Sequence, residues 1–302
     1  MFSSDIVIKK DNVLQNTLSQ TSEIKRKLQE YSSYPDNNLS EIERELFKIF
    51  EQEMSSPNSV IVSYKPQSIR KLAQFIAGDI KRSASVGIAG ETASGKSTIT
   101  LDIIETIEVF ANIFSINSVI TRVNSDDYYY DRSKEVTAAG GMAEFAKTYD
   151  FDVPEAIELS LMKQHINELL NGKSVMLPKY DMSGTTIRWD NYTLAKPSKI
   201  IISEGLFTLT EDIRDAFDFK IYVDIDNEIQ KGRFYKRANE RGLGNSAHTI
   251  YENASNKANI YIRPCKNIAD IVLSGEAQRS GYKLFINKIL LLIESKYFSQ
   301  NR

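Results

Sequence analysis

The chain has 302 residues, and its 38 basic and 40 acidic side chains give a formal net charge of −2. That length suits one large α/β domain with an appendage or two modest domains, and a hydrophobic content of 41% excludes a disordered or fibrous chain. The charge balance gives no overall attraction to nucleic acid or to an anionic membrane, so we expect neither as a partner. Any charge that binds phosphate must be local.

The cysteine content and the apolar runs bear on the compartment. A single cysteine, Cys265, permits no intrachain disulfide and is expected to be an incidental small hydrophobe. The chain starts MFSSDIVIKKDN, which lacks the apolar core of a signal peptide, and its longest apolar run, ILLLI at 289–293, is too short to cross a bilayer. These features predict a cytoplasmic location.

Helical periodicity is the main signal in residues 1–83, which are polar and charged. Apolar residues recur at helical spacing from Ile42 to Phe50 and from Ile69 to Ile80, with SSPNSVIVSYKP between the two patterns. We therefore predict a helical N-terminal extension over 1–83 and a second domain over 84–302. The extension either packs onto that domain or forms a surface for a partner, and a homo-oligomer is among the expected states.

Short apolar runs alternate with amphipathic stretches from Ser83 onward. The runs that predict strands lie at 85–89, 118–123, 174–178, 199–203, 219–225 and 269–273, and the helical patterns lie at 97–110, 155–171, 226–239, 248–260 and 282–297. Each crossover between parallel strands needs a helix to return the chain. This alternation therefore predicts an α/β fold with a parallel sheet flanked by helices.

A complete P-loop pattern occupies residues 86–98, which run VGIAGETASGKST. Gly90 and Gly95 let backbone N–H groups converge on phosphate oxygens, and a helix starting near Lys96 adds its positive dipole end. We expect Lys96 to neutralise the β- and γ-phosphates and Ser97 to ligate Mg²⁺, on a sheet of the P-loop NTPase type. The predicted nucleotide-binding residues are Gly90, Glu91, Thr92, Ala93, Ser94, Gly95, Lys96, Ser97 and Thr98.

Carboxylates follow two of the predicted strands. Asp126 and Asp127 come after the strand at 118–123, expected next to the P-loop strand, where a carboxylate suits a base that accepts the proton of an acceptor hydroxyl. Position alone does not choose between the two. Glu204 ends the strand at 199–203, where a P-loop enzyme keeps the acidic residue that orients Mg²⁺ or its water.

A basic helical pattern, KGRFYKRANERGLG at 231–244, leads into a glycine-containing loop. Phosphoryl transfer needs positive charge over the γ-phosphate, and a mobile lid supplies that charge while excluding water. On composition alone, a solvated basic helix face fits equally well. The basic residues are Lys231, Arg233, Lys236, Arg237 and Arg241.

Taken in order, these segments resemble the uridine kinase and phosphoribulokinase family of P-loop kinases, from about Ser83 to Gly275. Beyond the P-loop, the resemblance rests on residues 126–131, 149–156, 178–181, 202–205, 240–242 and 263–272. It implies ATP or GTP as the phosphoryl donor, Mg²⁺ as the cofactor and a small hydroxylated molecule as the acceptor. It also implies direct in-line transfer without a phosphoenzyme.

The resemblance assigns roles to individual residues as well. It favours Asp126 as the base and implies that Lys96, Arg237 and Arg241 stabilise the negative charge on the transferred phosphoryl group. It also implies that Ser97 and Glu204 bind the metal ion. The residues that it implies for the acceptor pocket are Tyr129, Asp152, Tyr180, Arg188 and Arg233.

The acceptor segment departs from the family. Uridine kinases contact the pyrimidine through an aromatic residue and a histidine, whereas this chain has Met182 and Thr185 at or near those places. The two histidines of the chain, His165 and His248, fall in helical patterns where surface positions are expected. Specificity for a polar ligand depends on such hydrogen-bonding partners, so this segment bears directly on the choice of acceptor.

The sequence is therefore compatible with three functions. The leading one is an ATP-dependent kinase of a nucleoside resembling uridine or cytidine. The same reaction on a non-nucleoside alcohol, such as a sugar phosphate or a vitamin, is the first alternative. A nucleotide-binding regulatory module that acts through the N-terminal helices is the second.

Overall fold

A computed structural model of the chain describes residues 40–78, 82–116, 119–182, 185–242, 244 and 246–297. The chain divides into the units Met1–Glu41 and Ile42–Arg302. Residues 1–39, nearly half of the predicted helical extension, lie outside the described residues. The elements described below lie in the second unit, except that Glu41, the first residue of the first helix, belongs to the first unit.

A six-stranded sheet forms the centre of the second unit, in the order β1-β8-β7-β2-β6-β3. All neighbouring strands pair in parallel except β1, which is antiparallel to β8. The strands are β1 Ile61–Tyr64, β2 Ala84–Gly90, β3 Ile120–Asn124, β4 Val175–Tyr180, β5 Arg188–Ala195, β6 Ile200–Gly205, β7 Phe219–Asp224 and β8 Ile271–Ser274. Strands β4 and β5 form a separate two-stranded antiparallel sheet.

Helices occupy the connections between the strands. They are α1 Glu41–Met54, α2 Pro66–Ile76, α3 Lys96–Ile113, α4 Ser133–Ala138, α5 Met142–Phe145, α6 Leu159–Leu170, α7 Asn227–Glu240, α8 Ser246–Lys257, α9 Cys265–Ile268 and α10 Arg279–Tyr297. Short 3₁₀ turns lie at Ser125–Tyr128, Pro154–Ala156 and Arg214–Ala216, and a π-helical turn at Ala258–Ile262 follows α8.

Local sequence explains where several helices begin. Pro66 is the first residue of α2, where its missing N–H costs no helical hydrogen bond. Asp226 caps α7, because its side chain accepts hydrogen bonds from the backbone N–H groups of Glu228 at 2.8 Å and Ile229 at 3.3 Å. Such caps satisfy N–H groups that have no partner within the helix.

Successive residues of the central strands enter opposite cores. Ala89 of β2 and Ile201 of β6 belong to the core that includes Met162 of α6, whereas Ile88 and Ile202 belong to the core shared with α1, α3 and α10. Side chains alternate across a strand, so a sheet covered on both faces needs continuous apolar runs such as IIIS. The predicted α/β fold with a sheet flanked by helices is confirmed.

Two predictions about strands were wrong. The segment between the N-terminal helical patterns contains β1, an edge strand in which Ile61 is 4% exposed and pairs with Leu273. Strand β1 belongs to the unit Ile42–Arg302. The run at 174–178 forms β4, which among the described strands pairs with β5 and not with the central sheet. The polar sequence of β5, RWDNYTLA, did not suggest a strand, because a hairpin needs only one covered face.

One expectation about the histidines was also wrong. His165 is buried at 9% exposure, and its Nδ1 is 2.8 Å from the Tyr128 hydroxyl in the core beneath α6. Among the described helices, none is both long and apolar enough to span a bilayer.

Candidate active site

The loop between β2 and α3 has the backbone of a phosphate cradle. Gly95, at the N-cap of α3, has a φ of +95°, which a residue with a side chain rarely adopts. A Cβ on Gly90 would lie 2.8 Å from both Ser94 Oγ and the Val223 carbonyl oxygen. Both glycines are therefore required by the local geometry that the sequence predicted.

Groups within this loop are suited to an anion. The first turn of α3 presents backbone N–H groups without helical partners, and Lys96 is the first residue of that helix. Desolvation lowers the pKa of Lys96, while the carboxylates of Asp126 and Glu204 act to raise it. Ser94 Oγ is buried without a hydrogen-bond partner among the described residues. The residues present therefore fit a bound phosphate chain.

Ser97 and Glu204 form a second feature of the site. The Ser97 hydroxyl donates to Glu204 Oε2 at 2.9 Å, and Arg122 Nη2 donates to Glu204 Oε1 at 2.7 Å. Glu204 is 3% exposed at the end of β6, and the register of the parallel strands places it opposite Asn124 of β3. A hydroxyl and a carboxylate oxygen in contact are hard oxygen ligands of the kind that Mg²⁺ prefers.

The structure distinguishes the two adjacent aspartates. Asp127 accepts from Lys179 Nζ at 3.2 Å and from the Tyr180 backbone N–H at 3.4 Å, so its carboxylate is engaged by β4. Asp126 lines the central cleft together with Lys96. Burial raises the pKa of Asp126 above its usual range, and Lys96 opposes that rise. Of the two, Asp126 has the position suited to a base.

The strand carrying these aspartates is not the immediate neighbour of the P-loop strand. We expected β3 beside β2, but β6 lies between them. The carboxyl ends of β2, β6 and β3 nevertheless meet at one edge of the sheet, which is where ligands bind in open α/β sheets. Asp126 thereby lines one cleft together with Lys96 and Ser97 of the P-loop, and Ser97 in turn bonds to Glu204.

The cleft has a volume of about 760 Å³ and runs from the P-loop to an aromatic end. At that end the rings of Tyr129 and Tyr180 have centroids 5.3 Å apart, and those of Tyr149 and Phe151 are 4.7 Å apart. Asp152 lies beside these rings, and burial raises the pKa of its carboxyl. The cleft thus combines flat apolar walls with a carboxylate.

The four predicted arginines separate into two groups. Arg237 and Arg241 line the cleft, and Arg237 Nη2 donates to Thr92 Oγ1 at 2.6 Å. Desolvation by burial, followed by repulsion from Arg241, lowers the pKa of Arg237. These two arginines bring positive charge to the end of the cleft where the phosphate cradle lies.

Arg188 and Arg233 are not among the residues that line the cleft, and their role at the acceptor stays a prediction. Arg188 Nη1 donates to Glu158 Oε2 at 2.6 Å, because the hairpin turns this first residue of β5 toward the start of α6. Arg233 Nη1 donates to the Gly275 carbonyl oxygen at 2.8 Å, one helical turn before Arg237. Both guanidinium groups are engaged by partners that are distant in the sequence.

The predicted site residues do not include several that the structure places there, among them Arg122, Asn253, Tyr149 and Phe151. Arg122 holds one oxygen of Glu204, and Asn253 of α8 donates to Asp150 Oδ1 at 3.2 Å and to Asp152 Oδ2 at 3.5 Å. Side chains alternate along β3, so Arg122 and Asn124 share one face of the strand. That pattern in the sequence could have identified Arg122 as a residue of the site. Asn253 lies in a polar helix and had none.

Comparison with known proteins identifies the family of the chain. The model of the phosphoribulokinase / uridine kinase family matches residues 85–279, which confirms the resemblance. A uridine kinase from Clostridium perfringens is 34% identical over 215 residues, covering 70% of this chain and 96% of the relative. A uridine kinase from Lactobacillus helveticus is 32% identical over 200 residues, covering 65% of this chain and 88% of the relative.

One solved structure adds a likeness of fold. The structure of the YGR205w protein superposes with a TM-score of 0.50 at 15% identity, over 69% of this chain and 92% of that one.

Proposed function

We propose that this chain, which belongs to the phosphoribulokinase / uridine kinase family, transfers the γ-phosphoryl group of ATP to a hydroxyl of a nucleoside resembling uridine or cytidine. The observation that carries the proposal is the single cleft in which Lys96, Ser97 and Asp126 lie at one end and Tyr129 and Tyr180 at the other. A donor site and a flat aromatic acceptor site are thus continuous.

The donor half rests on the P-loop. Backbone N–H groups of Glu91 to Thr98 and the Lys96 ammonium bind the β- and γ-phosphates. Ser97 and Glu204, whose oxygens are 2.9 Å apart, would hold Mg²⁺, and this ion would neutralise charge on the phosphate oxygens. The family resemblance leaves GTP as the alternative donor.

The acceptor half rests on shape and charge. The planar walls formed by Tyr129, Tyr149, Phe151 and Tyr180 suit a heterocyclic base, which stacks on aromatic rings. Asp152 at the edge of those walls suits the hydroxyls of a sugar, because a carboxylate accepts hydrogen bonds from vicinal alcohols. The names of the relatives, uridine kinases, support the same choice.

The reaction uses these groups together. The acceptor oxygen attacks the γ-phosphorus in line, the bond to the β,γ-bridging oxygen breaks and ADP leaves. Asp126 takes the proton of the attacking hydroxyl. Lys96, Arg237 and Arg241 stabilise the negative charge that spreads over the transferred group.

The test is ADP release by the purified chain with ATP, Mg²⁺ and a panel of acceptors. We expect turnover with uridine or cytidine, with the nucleoside monophosphate identified by mass spectrometry, and none with sugar phosphates or vitamins. The Asp126→Asn variant, purified identically, reports contaminating kinases. Turnover confined to a non-nucleoside alcohol would contradict the nucleoside assignment. ATP binding without phosphorylation of any acceptor would favour the regulatory module.

For the chain as a whole we propose a cytoplasmic enzyme whose partner is its small-molecule acceptor, and a helical N-terminal extension that packs on the kinase domain or takes part in a homo-oligomer. Sedimentation of the full chain against a chain that starts at residue 40 tests the oligomer. An unchanged monomer in both cases would refute it.

A further inference from the structure

Helix α8 forms one wall of the cleft and contacts both the P-loop side and the acceptor side of it. Thr249, Ile250, Asn253 and Ala254 line the cleft along α8. A helix is a stiff element, so a displacement of one of its faces moves the other face with it. The contacts on the two faces of α8 therefore define what this helix is able to connect.

One set of contacts leads from α8 to the P-loop. The Tyr251 hydroxyl donates to Gln230 Oε1 at 3.0 Å, and Gln230 Nε2 donates to the Thr92 carbonyl oxygen at 2.9 Å. Gln230 is 2% exposed, so water does not substitute readily for either bond. The orientation of the peptide after Thr92 therefore depends on the position of Tyr251.

Packing reinforces this connection. Ala93 contacts a small apolar cluster centred on Phe234, Ala238 and Ala247, to which Tyr251 also belongs. Ala93 has a φ of +61°, a conformation that is uncommon for a residue with a side chain and that costs free energy. Contacts with α7 and α8 offset that cost, so the phosphate cradle keeps its shape only while these helices are in place.

A second connection follows the π-helical turn after α8. Arg263 at the end of that turn donates from Nε to Glu91 Oε1 at 2.8 Å and from Nη2 to Glu91 Oε2 at 3.0 Å. Glu91 is 6% exposed and precedes Thr92. A two-pronged, charge-assisted pair of this kind fixes orientation as well as distance. Both connections from α8 thus reach adjacent residues of the P-loop.

The opposite face of α8 is bound to the acceptor end. Asn253 Nδ2 donates to Asp150 Oδ1 at 3.2 Å and to Asp152 Oδ2 at 3.5 Å. Lys257 Nζ forms an ion pair with Asp150 Oδ2 at 2.9 Å. Asp150 and Asp152 both line the cleft. An acceptor that bonds to Asp152 therefore acts on a group that α8 already contacts.

We propose that α8 is a positioning element that couples acceptor binding to the phosphate cradle, with Asn253 and Lys257 as its acceptor contacts and Tyr251 as its link to Thr92. The proposal rests on the proposed function, since it takes the acceptor to bind beside Asp152. An acceptor held there orders residues 150–152 and with them α8, which then holds Gln230 and the Thr92 carbonyl in the geometry that binds ATP. By thermodynamic linkage, each ligand tightens the binding of the other by the same factor.

The test measures this factor directly. The dissociation constant of a non-hydrolysable ATP analogue with Mg²⁺ is determined by calorimetry, with and without saturating uridine. For the unaltered chain we expect uridine to tighten analogue binding about fivefold or more. Tyr251→Phe removes only the hydroxyl that reaches Gln230, and it should bring that factor below about twofold while uridine binding alone stays within about twofold of normal.

Tyr235→Phe is the matched control. Tyr235 belongs to the same cluster, but its hydroxyl lies 3.1 Å from His248 Nδ1 and has no described contact with the P-loop. This variant should retain the full coupling factor. Asn253→Ala is a second variant, which cuts the link to Asp152 from the acceptor side and should also reduce the factor.

The outcomes separate the two proposals. Uridine binding with normal coupling in both Tyr251→Phe and Asn253→Ala would overturn the role of α8 and leave the proposed function intact. If the unaltered chain binds uridine but uridine does not change the dissociation constant of the ATP analogue, the role of α8 is likewise overturned and the proposed function stays intact. An unaltered chain that binds no uridine would contradict the proposed function and this coupling together.

Discussion

The Ser97 hydroxyl donates a hydrogen bond of 2.9 Å to Glu204 Oε2, although the two residues are 107 positions apart in the chain. Parallel pairing of β2 with β6 creates this contact, because it sets Ala89 opposite Gly205 and so brings the P-loop beside the end of β6. Arg122 holds the other carboxylate oxygen at 2.7 Å. The sheet and Arg122 therefore hold the two proposed metal ligands in contact with each other.

Substituting Ser97 should change the dependence on Mg²⁺. Ser97→Ala removes the hydroxyl ligand, and we expect the Mg²⁺ concentration at half-maximal rate to rise about tenfold or more, since outer parts of a metal site alone are worth that much. Ser97→Thr keeps a hydroxyl at the same place and should behave as the unaltered chain. Titration of the rate with Mg²⁺ at saturating ATP measures both. Equal Mg²⁺ requirements in the two variants would refute the role of Ser97.

Exchanging each aspartate for asparagine should separate the base from its neighbour. Asp126→Asn should lower kcat by a factor of about 10² to 10⁴ with a modest effect on ATP affinity, because it removes the group that accepts the proton. Asp127→Asn retains an acceptor for the Tyr180 N–H and should keep most of the turnover. Steady-state kinetics with an independent titration of ATP binding measures the effects. Near-normal turnover in Asp126→Asn would exclude it as the base.

The rate should fall on the acid side of the raised pKa of Asp126. Burial raises the pKa of Asp126 above its usual range, and the base is active only when deprotonated. Activity is therefore present above that raised pKa and is lost as the pH falls through it, about tenfold per pH unit for one ionisation. A pH profile of kcat/KM for the acceptor shows this limb. Asp127→Asn should leave the limb in place, and a profile that stays flat down to the usual range of an aspartate would contradict the prediction.

Replacing Arg237, which donates a hydrogen bond to Thr92, with an uncharged residue should slow phosphoryl transfer. Arg237 lines the cleft with its guanidinium at the P-loop, so Arg237→Met should lower kcat by about 10² or more through loss of charge stabilisation. Lys236, the preceding residue, is exposed, and Lys236→Met should change kcat little. Single-turnover rates at saturating ATP compare the two. Equal single-turnover rates in the two variants would show that another residue supplies the positive charge that stabilises the transferred phosphoryl group.

The ion pair beneath the P-loop should contribute to stability. Arg263→Lys keeps the charge but cannot form both bonds to Glu91, so we expect the free energy of unfolding to fall by about 1–3 kcal/mol. The control is Lys48→Ala, which removes an exposed ion pair with Glu45 and should change the free energy of unfolding by about 0.5 kcal/mol or less. Urea denaturation measures both variants. A smaller loss in Arg263→Lys than in the control would contradict the prediction.

Sequence patterns predicted most of the sheet and the donor site. The strands β2, β6, β7 and β8 are apolar runs of the length that a doubly covered sheet needs, and the helices between them have clear periodicity. Edge strand β1 and hairpin strand β5 were missed, because a strand with one exposed face carries a weaker apolar signal. His165 was misplaced for a similar reason, since its burial depends on pairing with Tyr128.

The sequence by itself determined the P-loop, because the cradle is built from consecutive residues whose types, Gly90, Gly95, Lys96 and Ser97, dictate its local backbone. Tertiary structure decided the rest of the cleft. It engaged Asp127 with Tyr180 and left Asp126 beside Lys96. It also turned Arg188 and Arg233 to other partners, and it placed Asn253 against Asp152. These relationships join residues that are far apart in the chain, and long-range pairing leaves no periodic trace in a sequence.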